Sequence, residues 1–322
     1  MYKQIIENTI TQLRKCSSKF PNRHNHPIFL FLCGGDDSNE DYVCRVQTKE
    51  FLINNSDNSH LNQIQIVKPE TFLNDYVEII NGIDLLDLEA IIAELSDAIL
   101  LFDEAPGPVC ELGAFAMVDA TRDIMTACIP LEHKNDKSFI AQGPIRHLEC
   151  CNSELANVIY LDIKCPFSSY ELESYFYHLA EYAINQRRFA INTNQNDVKL
   201  GSFCRECLDL ISIFAPIRDY ELLSLYKRYK GFDNGKSMTF TANAIMHIPS
   251  NFNYRIVFAY LASIGLVVYE NGMLFMTGKV PGYFMFNPRK RYDIQLLRAR
   301  LVSSYRKDRV RWDDVYHPKN VS

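Results

Sequence analysis

Short apolar runs alternate with segments of helical periodicity through the first half of the chain. Residues 28–33, IFLFLC, are uniformly apolar and stop at Gly34, Gly35, Asp36 and Asp37, which predicts a buried strand opening into a tight loop. IQIVKP ending at Pro69, DAILLF at 97–102, IMTACIPL at 124–131 and ANVIYLDI at 156–163 predict four more strands. Between them LLDLEAIIAELSD carries apolar residues at helical spacing, and ELGAFAMVDAT follows the loop DEAPGPVC as a good helix former. Strands alternating with helices predict a parallel sheet covered on both faces, and such sheets bind ligands at the carboxyl ends of their strands. The expected class is α/β and Rossmann-like.

The pattern then changes. SSYELESYFYHLAEYAINQRR predicts a helix with Glu171 and Glu173 early and Arg187 and Arg188 late, an order that suits the helix dipole. NTNQNDVKLGS at 192–202 is polar and aperiodic and marks a boundary, giving domains at 1–195 and 196–322. Beyond it CRECLDLISIFAPIRDYELLSLYKRYKG is helical in pattern. NYRIVFAYLASIGLVVYENGMLFMTGKV predicts a helix followed by a hairpin turning at Asn271 and Gly272. Helices followed by a hairpin predict a C-terminal winged helix-turn-helix-like domain.

Composition narrows the class. A chain of 322 residues with 47% hydrophobic positions can bury two ordinary cores. No apolar run reaches about 18 residues and the N-terminus MYKQIIENTITQLRK is polar and amphipathic, so a cytoplasmic protein without membrane spans is expected. The ten cysteines then read as reduced thiols; the CxxC at Cys204 and Cys207 lacks a second half, and no metal or cofactor is expected. The net charge of -5 argues against a nucleic-acid binder as a whole, yet Arg289 to Lys319 holds ten Lys and Arg against four Asp, with Tyr292, Tyr305, Trp312 and Tyr316 interleaved. Arg289, Lys290, Arg291, Arg298, Arg306 and Lys307 are therefore candidate nucleic-acid contacts. A charged surface helix burying a narrow stripe of Ile294, Leu297 and Leu301 explains the same segment equally well.

The richest stretch for chemistry is DAILLFDEAPGPVCELGAFAM. Glu111 falls where a Gly- and Pro-containing loop turns into a helix, directly after a buried strand. A carboxylate at a helix N-terminus is favoured as the anion, and an ionised carboxylate beneath an anomeric carbon can stabilise an oxocarbenium-like state or form a covalent glycosyl intermediate. A first-turn glutamate favoured only by the dipole accounts for the same position. Two other loops add weight: Cys33, Gly34, Gly35 and Asp36 follow the first strand, where paired glycines let backbone amides approach a phosphate or sugar, and Glu89 could reach the same cleft. Gly107 and Gly113 would permit close approach of backbone to ligand and of helix to sheet. Neither a dinucleotide-binding GxGxxG nor a GxxxxGK[ST] loop occurs.

FLCGGD, a helix carrying Glu89, SDAILLF and PGPVCELGAF together resemble the nucleoside 2-deoxyribosyltransferase family. More specifically, SFIAQGPIRHL at 138–148 and the ending RKRYDIQLLRARLVSSYRKDRVRWDDVYHP resemble the deoxyribosyltransferase-like effectors encoded beside retron reverse transcriptases. The resemblance implies a two-domain toxin that hydrolyses the glycosidic bond of NAD or a related nucleotide. Its implied partners are the reverse transcriptase and multicopy single-stranded DNA/RNA, as an oligomer within that complex, with host arrest during phage infection. It implies Glu111 as nucleophile in a G-x-x-x-E-L-G context with Gly107, Glu89 at an acidic base-contacting position, and Cys33 to Asp36 along the sugar or phosphate pocket. The chain departs from these relatives at Ala105, where many have a serine. A nucleotide-sensing DNA-binding regulator and a salvage deoxyribosyltransferase are the competing functions.

Overall fold

A computed structural model describes residues 2–24, 26–155, 157–185, 189–193, 197–232, 238–243, 252–278 and 282–305. Arg306, Lys307, Trp312 and Tyr316, expected in the basic segment, lie outside the described residues. The chain divides into two compact units: Pro27–Gln186 with Ala242–Asn251, and Met1–His26 with Arg187–Thr241 and Phe252–Ser322. The expected boundary near 195 lies close to this division, but the first 26 residues cluster with the C-terminal part rather than with the sheet. They form helix α1 (Tyr2–Lys15), whose buried Ile10 and Leu13 belong to the C-terminal core.

The sheet unit begins with β1 (Ile28–Cys33), α2 (Cys44–Asn54), β2 (Ile64–Val67), α3 (Pro69–Asp75) and α4 (Val77–Ile80). It continues through α5 (Leu85–Leu95), β3 (Ala98–Phe102), α6 (Pro106–Ala116), α7 (Asp119–Arg122) and β4 (Met125–Pro130). α8 (Arg146–Glu149), β5 (Asn157–Leu161) and α9 (Tyr170–Asn185) complete it. The five strands pair in parallel in the order β2-β1-β3-β4-β5, as the alternating pattern predicts. Every residue of β1, β3 and β4 is buried, which is why these strands are apolar throughout rather than alternating. Leu30, Leu32, Leu100 and Phe102 join a core with Leu172, Phe176 and Leu179 of α9. On the opposite face Phe31 meets Phe115 of α6 edge-on at 5.8 Å.

One boundary differs from expectation in a way that matters. The stretch expected as the loop DEAPGPVC is largely helix: α6 starts at Pro106, five residues before Glu111. Proline suits a first helical position because its fixed φ is already helical and its missing N–H is not needed there. Glu111 consequently sits in the second turn, and no acidic residue occupies the first.

The second unit adds β6 (Val198–Lys199), α10 (Leu200–Phe214), β7 (Ile217–Arg218), α11 (Asp219–Lys230) and β8 (Phe240–Thr241). α12 (Arg255–Ser263), β9 (Val267–Glu270), β10 (Met273–Met276) and α13 (Arg291–Tyr305) follow. The long helical stretch expected from 204 to 231 is broken at Ala215 and Pro216, where the chain forms β7 and pairs with β10. β9 and β10 form the expected hairpin, with Asn271 at φ 49 and Gly272 at φ 74. Those angles are the paired left-handed conformation that a two-residue turn requires. β7, β10 and β9 make one three-stranded sheet, and a second, two-stranded sheet pairs β6 with β8. None of the described helices is long and apolar enough to cross a membrane.

α10 is buried along its whole length, charged residues included. Glu206 accepts from Lys230 Nζ at 2.7 Å, Tyr226 Oη at 2.6 Å and the Asn192 backbone at 2.7 Å. Asp209 accepts the backbone N–H groups of Phe284 at 2.9 Å and Met285 at 2.6 Å, fastening the segment before α13 to the centre of the unit. Arg205 donates to Gly201 O and lies 3.6 Å from the Phe189 ring centroid. Asp219 joins α11, α12 and the hairpin: it accepts from Tyr269 Oη at 2.7 Å and pairs with Arg255 Nε at 2.8 Å. Asp209→Ala should leave two buried N–H groups without an acceptor and cost about 2–6 kcal/mol, measured as a lowered midpoint in urea unfolding.

Candidate functional site

The strand order reverses direction between β1 and β3, and the carboxyl ends of these neighbours define the crevice where open parallel sheets bind ligands. Register pairs Cys33 with Leu101, so the β1 loop and the β3 loop leave the sheet side by side. Glu104, in the second of these, ties them together. Its Oε1 accepts the Gly35 N–H at 3.0 Å and its Oε2 the Cys44 N–H at 3.3 Å.

The paired glycines fit this packing. A Cβ on Gly34 would lie 2.8 Å from Arg45 Cγ, and one on Gly35 would lie 2.3 Å from the Tyr42 ring. Both glycines thus make room for protein side chains, and the Gly35 amide is already committed to Glu104, whereas an open ligand cradle was expected. Asp36 is exposed and its carboxylate accepts the Ser38 N–H at 2.9 Å within its own loop. A Cβ on Gly107 would meet nothing within 4 Å, so its surroundings are open, and the same holds for Gly113.

Glu111, Glu89 and Cys33 come together at this crevice. The thiol of Cys33, buried at the end of β1, interacts electrostatically with the Glu111 side chain. Glu111 Oε2 is buried and has no hydrogen-bond partner among the described residues. Burial raises the Glu111 carboxyl above its ordinary range and the nearby Glu70 adds to the rise, against the lowering effects of Cys33 and Arg45. The dipole-stabilised anion expected at a helix start is therefore replaced by a second-turn carboxyl whose burial works the other way. Glu89, on α5, is 7% exposed, and burial followed by repulsion from Glu111 and Glu70 pushes its pKa up to about 7. The same burial, reinforced by Glu111, pushes the Cys33 thiol well up, so it remains a protonated donor.

Several polar residues at this edge were not picked out from the sequence. Asp37 pairs with Arg45 at 2.8 Å, Lys49 at 2.7 Å and Lys68 at 2.6 Å, and Arg45 pairs again with Glu70 at 2.6 Å. Asp103, at the end of β3, is half-buried, and that burial raises its carboxyl. The aspartate doublet after β1 and the acidic pair after β3 are the only local signals of this arrangement. Among the described residues no group of three or more His, Cys, Asp or Glu is placed to hold a metal ion.

The basic C-terminal candidates belong to the other unit. Arg289 and Lys290 occupy a single helical turn before α13, where Lys290 pairs with Asp293 at 3.0 Å. Arg291 and Arg298 lie on α13, and Tyr292 is 75% exposed. Ile294, Leu297 and Leu301 are buried, the stripe expected of a surface helix.

Residues 45–258 match a family described as STM3845 retron effector protein, a span that includes Glu89 and Glu111. A protein of retron Ec86 from Escherichia coli, by name a putative ribosyltransferase/DNA-binding protein, is 38% identical over 130 residues, 40% of this chain and 40% of its own. A similarly named protein of retron Ec73, also from Escherichia coli, is 32% identical over 119 residues, 37% of each chain. The chain thus aligns with about two fifths of the length of these curated relatives.

Glu89 holds its proton more tightly folded than unfolded, so its contribution to stability is full below about 4.5 and is lost as pH rises through about 7. Glu89→Gln should flatten the fall in stability across that window, as measured by urea unfolding from pH 4 to 8.

Proposed function

Because the chain belongs to the STM3845 retron effector protein family, we propose that it acts in retron defence by cleaving the N-glycosidic bond of NAD or a related nucleotide, with Glu111 as nucleophile. The observation that carries this reading is the buried Oε2 of Glu111 at the strand-order reversal, without a partner among the described residues and electrostatically coupled to a second carboxyl with a pKa of about 7. A buried acceptor without a partner is costly, and a bound sugar would give it one. The names of the curated relatives, which include ribosyltransferase, agree in reaction class.

In this mechanism Glu111 Oε2 attacks the anomeric carbon as the bond from that carbon to the base nitrogen breaks. Glu89, poised near neutrality, delivers its proton to a departing purine or pyrimidine and then takes one from the incoming water; from NAD the nicotinamide leaves as a neutral pyridine with the bond's electron pair, and Glu89 serves only as the base toward water. Water attacks the anomeric carbon, the ester to Glu111 breaks, and the free sugar leaves with both carboxyls restored. The protonated Cys33 thiol lowers the Glu111 carboxyl's pKa, favouring the anion that attacks, and Oε2 has no partner among the described residues. Gly107 sits in the first turn of the same helix, where the open space beside it lets substrate approach backbone.

The second unit is read as a winged-helix-like module. Support comes from the order α10, β7, α11, α12, β9, β10 and from the strand order β7-β10-β9. Six of the nine residues of α12 are buried, and its exposed Arg255 pairs with Asp219, so nucleic-acid contact is assigned to the Arg289, Lys290, Arg291 and Arg298 surface. In the proposed resting state the retron reverse transcriptase and its multicopy single-stranded DNA/RNA restrain the toxin in an oligomeric cytoplasmic complex. A nucleotide-sensing DNA-binding regulator is the second reading, favoured by the words DNA-binding in the relatives' names.

Purified protein incubated with NAD, nucleoside monophosphates and deoxynucleosides should release free base, separated by chromatography. Glu111→Gln should keep the fold and reduce that release by about 10³-fold or more, with loss of toxicity in cells. Intact ligand after long incubation, together with sequence-specific duplex binding, would favour the regulator. Arg298→Ala should weaken binding to single strands of different sequence about equally and make it less salt-dependent.

A further inference from the structure

Asp37, beside the crevice, gathers more positive charge than it can neutralise. Two ammonium groups meet at one carboxylate oxygen: Lys49 Nζ lies 2.7 Å and Lys68 Nζ 2.6 Å from Oδ2, while Arg45 Nε lies 2.8 Å from Oδ1. Arg45 also reaches Glu70, so the ion pairs of this cluster join three cations to two carboxylates. Of the loop's other acids, Asp36 turns its carboxylate to the Ser38 amide, and Glu40 and Asp41 are exposed.

The topology puts these groups at the ligand edge. Lys68 directly follows β2, whose Val67 is in register with Phe31 of β1, and Asp37 lies in the loop after β1. Arg45 and Lys49 stand one turn apart on α2. Arg45 is almost wholly buried at 4% exposure, whereas the Lys49 and Lys68 side chains remain 34% and 23% exposed. The arginine is thus the fixed part and the lysines are the accessible part. Arg45 and Glu70 both act electrostatically on Glu111, so the cluster adjoins the crevice carboxyls.

We propose that Lys49 and Lys68, held together by Asp37, form an anion subsite that takes the phosphate of a 5′-phosphorylated nucleoside whose sugar lies at Glu111. The second half of this assignment rests on the glycosidase reading above. Two ammonium groups presented side by side match the several acceptor oxygens of a phosphate, and Asp37 keeps them oriented in its absence. Asp37 is suited to that role: burial opposes its ionisation, but the three cations outweigh it and hold its pKa at about 2. Burial and the adjacent Lys49 push Lys68 below its ordinary range despite the contact with Asp37, as expected for an ammonium short of negative charge. A phosphate would supply that charge. Such a subsite makes free nucleosides poor substrates relative to nucleotides, because only the latter carry the anion.

Calorimetric titration of the full chain with inorganic pyrophosphate tests the subsite without catalysis. Wild-type protein should bind, Lys49→Gln and Lys68→Gln should each weaken binding by about tenfold, Lys68→Arg should retain it, and Glu111→Gln should bind as wild type. Each single lysine variant leaves Asp37 paired with Arg45 and the other lysine, so folding is preserved. Failure of wild-type protein to bind, or undiminished affinity in both glutamine variants, overturns the subsite. In a second arm, the preference for nucleoside monophosphate over nucleoside should fall in those variants. Pyrophosphate binding that depends on the lysines, with no base released from any substrate, would keep the subsite and overturn the glycosidase reading; base release with lysine-independent binding would do the reverse.

Discussion

The parallel pairing of β1 with β3 is the contact on which the sheet unit's chemistry depends. It sets Cys33 level with Leu101 and sends two loops out from adjacent strand ends in different directions. α2 leaves from one and α6 from the other, and Glu104 bridges them by accepting N–H groups of Gly35 and Cys44. Cys33, Glu111 and the Asp37 cluster all take their positions from this divergence. A one-residue slip of β1 against β3 would reverse the faces of the strand and move Cys33 away from α6.

The two units handle buried charge in opposite ways. In the C-terminal unit Glu206 and Asp209, both on the fully buried α10, receive several donors each, so charge there acts as a fastener between helices. In the sheet unit the half-buried Glu111 keeps a buried oxygen without a partner among the described residues, and repulsion from it helps raise the buried Glu89. The first pattern stabilises a scaffold. The second stores unfavourable electrostatics at one spot, an arrangement native chains keep where a ligand relieves it.

The fold was legible wherever burial is complete on both sides of an element. IFLFLC and AILLF are strands because every position faces other protein, and Asn271-Gly272 is a turn because few other pairs adopt two left-handed angles. The start of α6 was hidden because Pro106 and Gly107 resemble loop residues, although proline is at home in a first turn. The break between α10 and α11 was hidden for the opposite reason, since apolar periodicity continues on both sides of Pro216. At the site, Glu111 could be picked out because it closely follows the end of β3, and Glu89 because the helix before β3 can reach the same cleft. Asp37, Arg45, Lys49, Lys68 and Glu70 could not, because their meeting depends on β1 and β2 being neighbours, which spacing along the chain does not encode.

The placement of α1 bears on the order in which the chain acquires structure during synthesis. Arg14 donates to the backbone oxygens of Tyr229 and Arg228, and Ser17 bridges to Phe286. α1 is thus held by segments that come after the sheet in the chain, whereas the five strands between Ile28 and Leu161 pair with one another. As domains fold in turn on the ribosome, the sheet strands are made while α1 still waits for its neighbours. A cell making this protein thus meets the strands of the sheet before the segments that hold α1 exist.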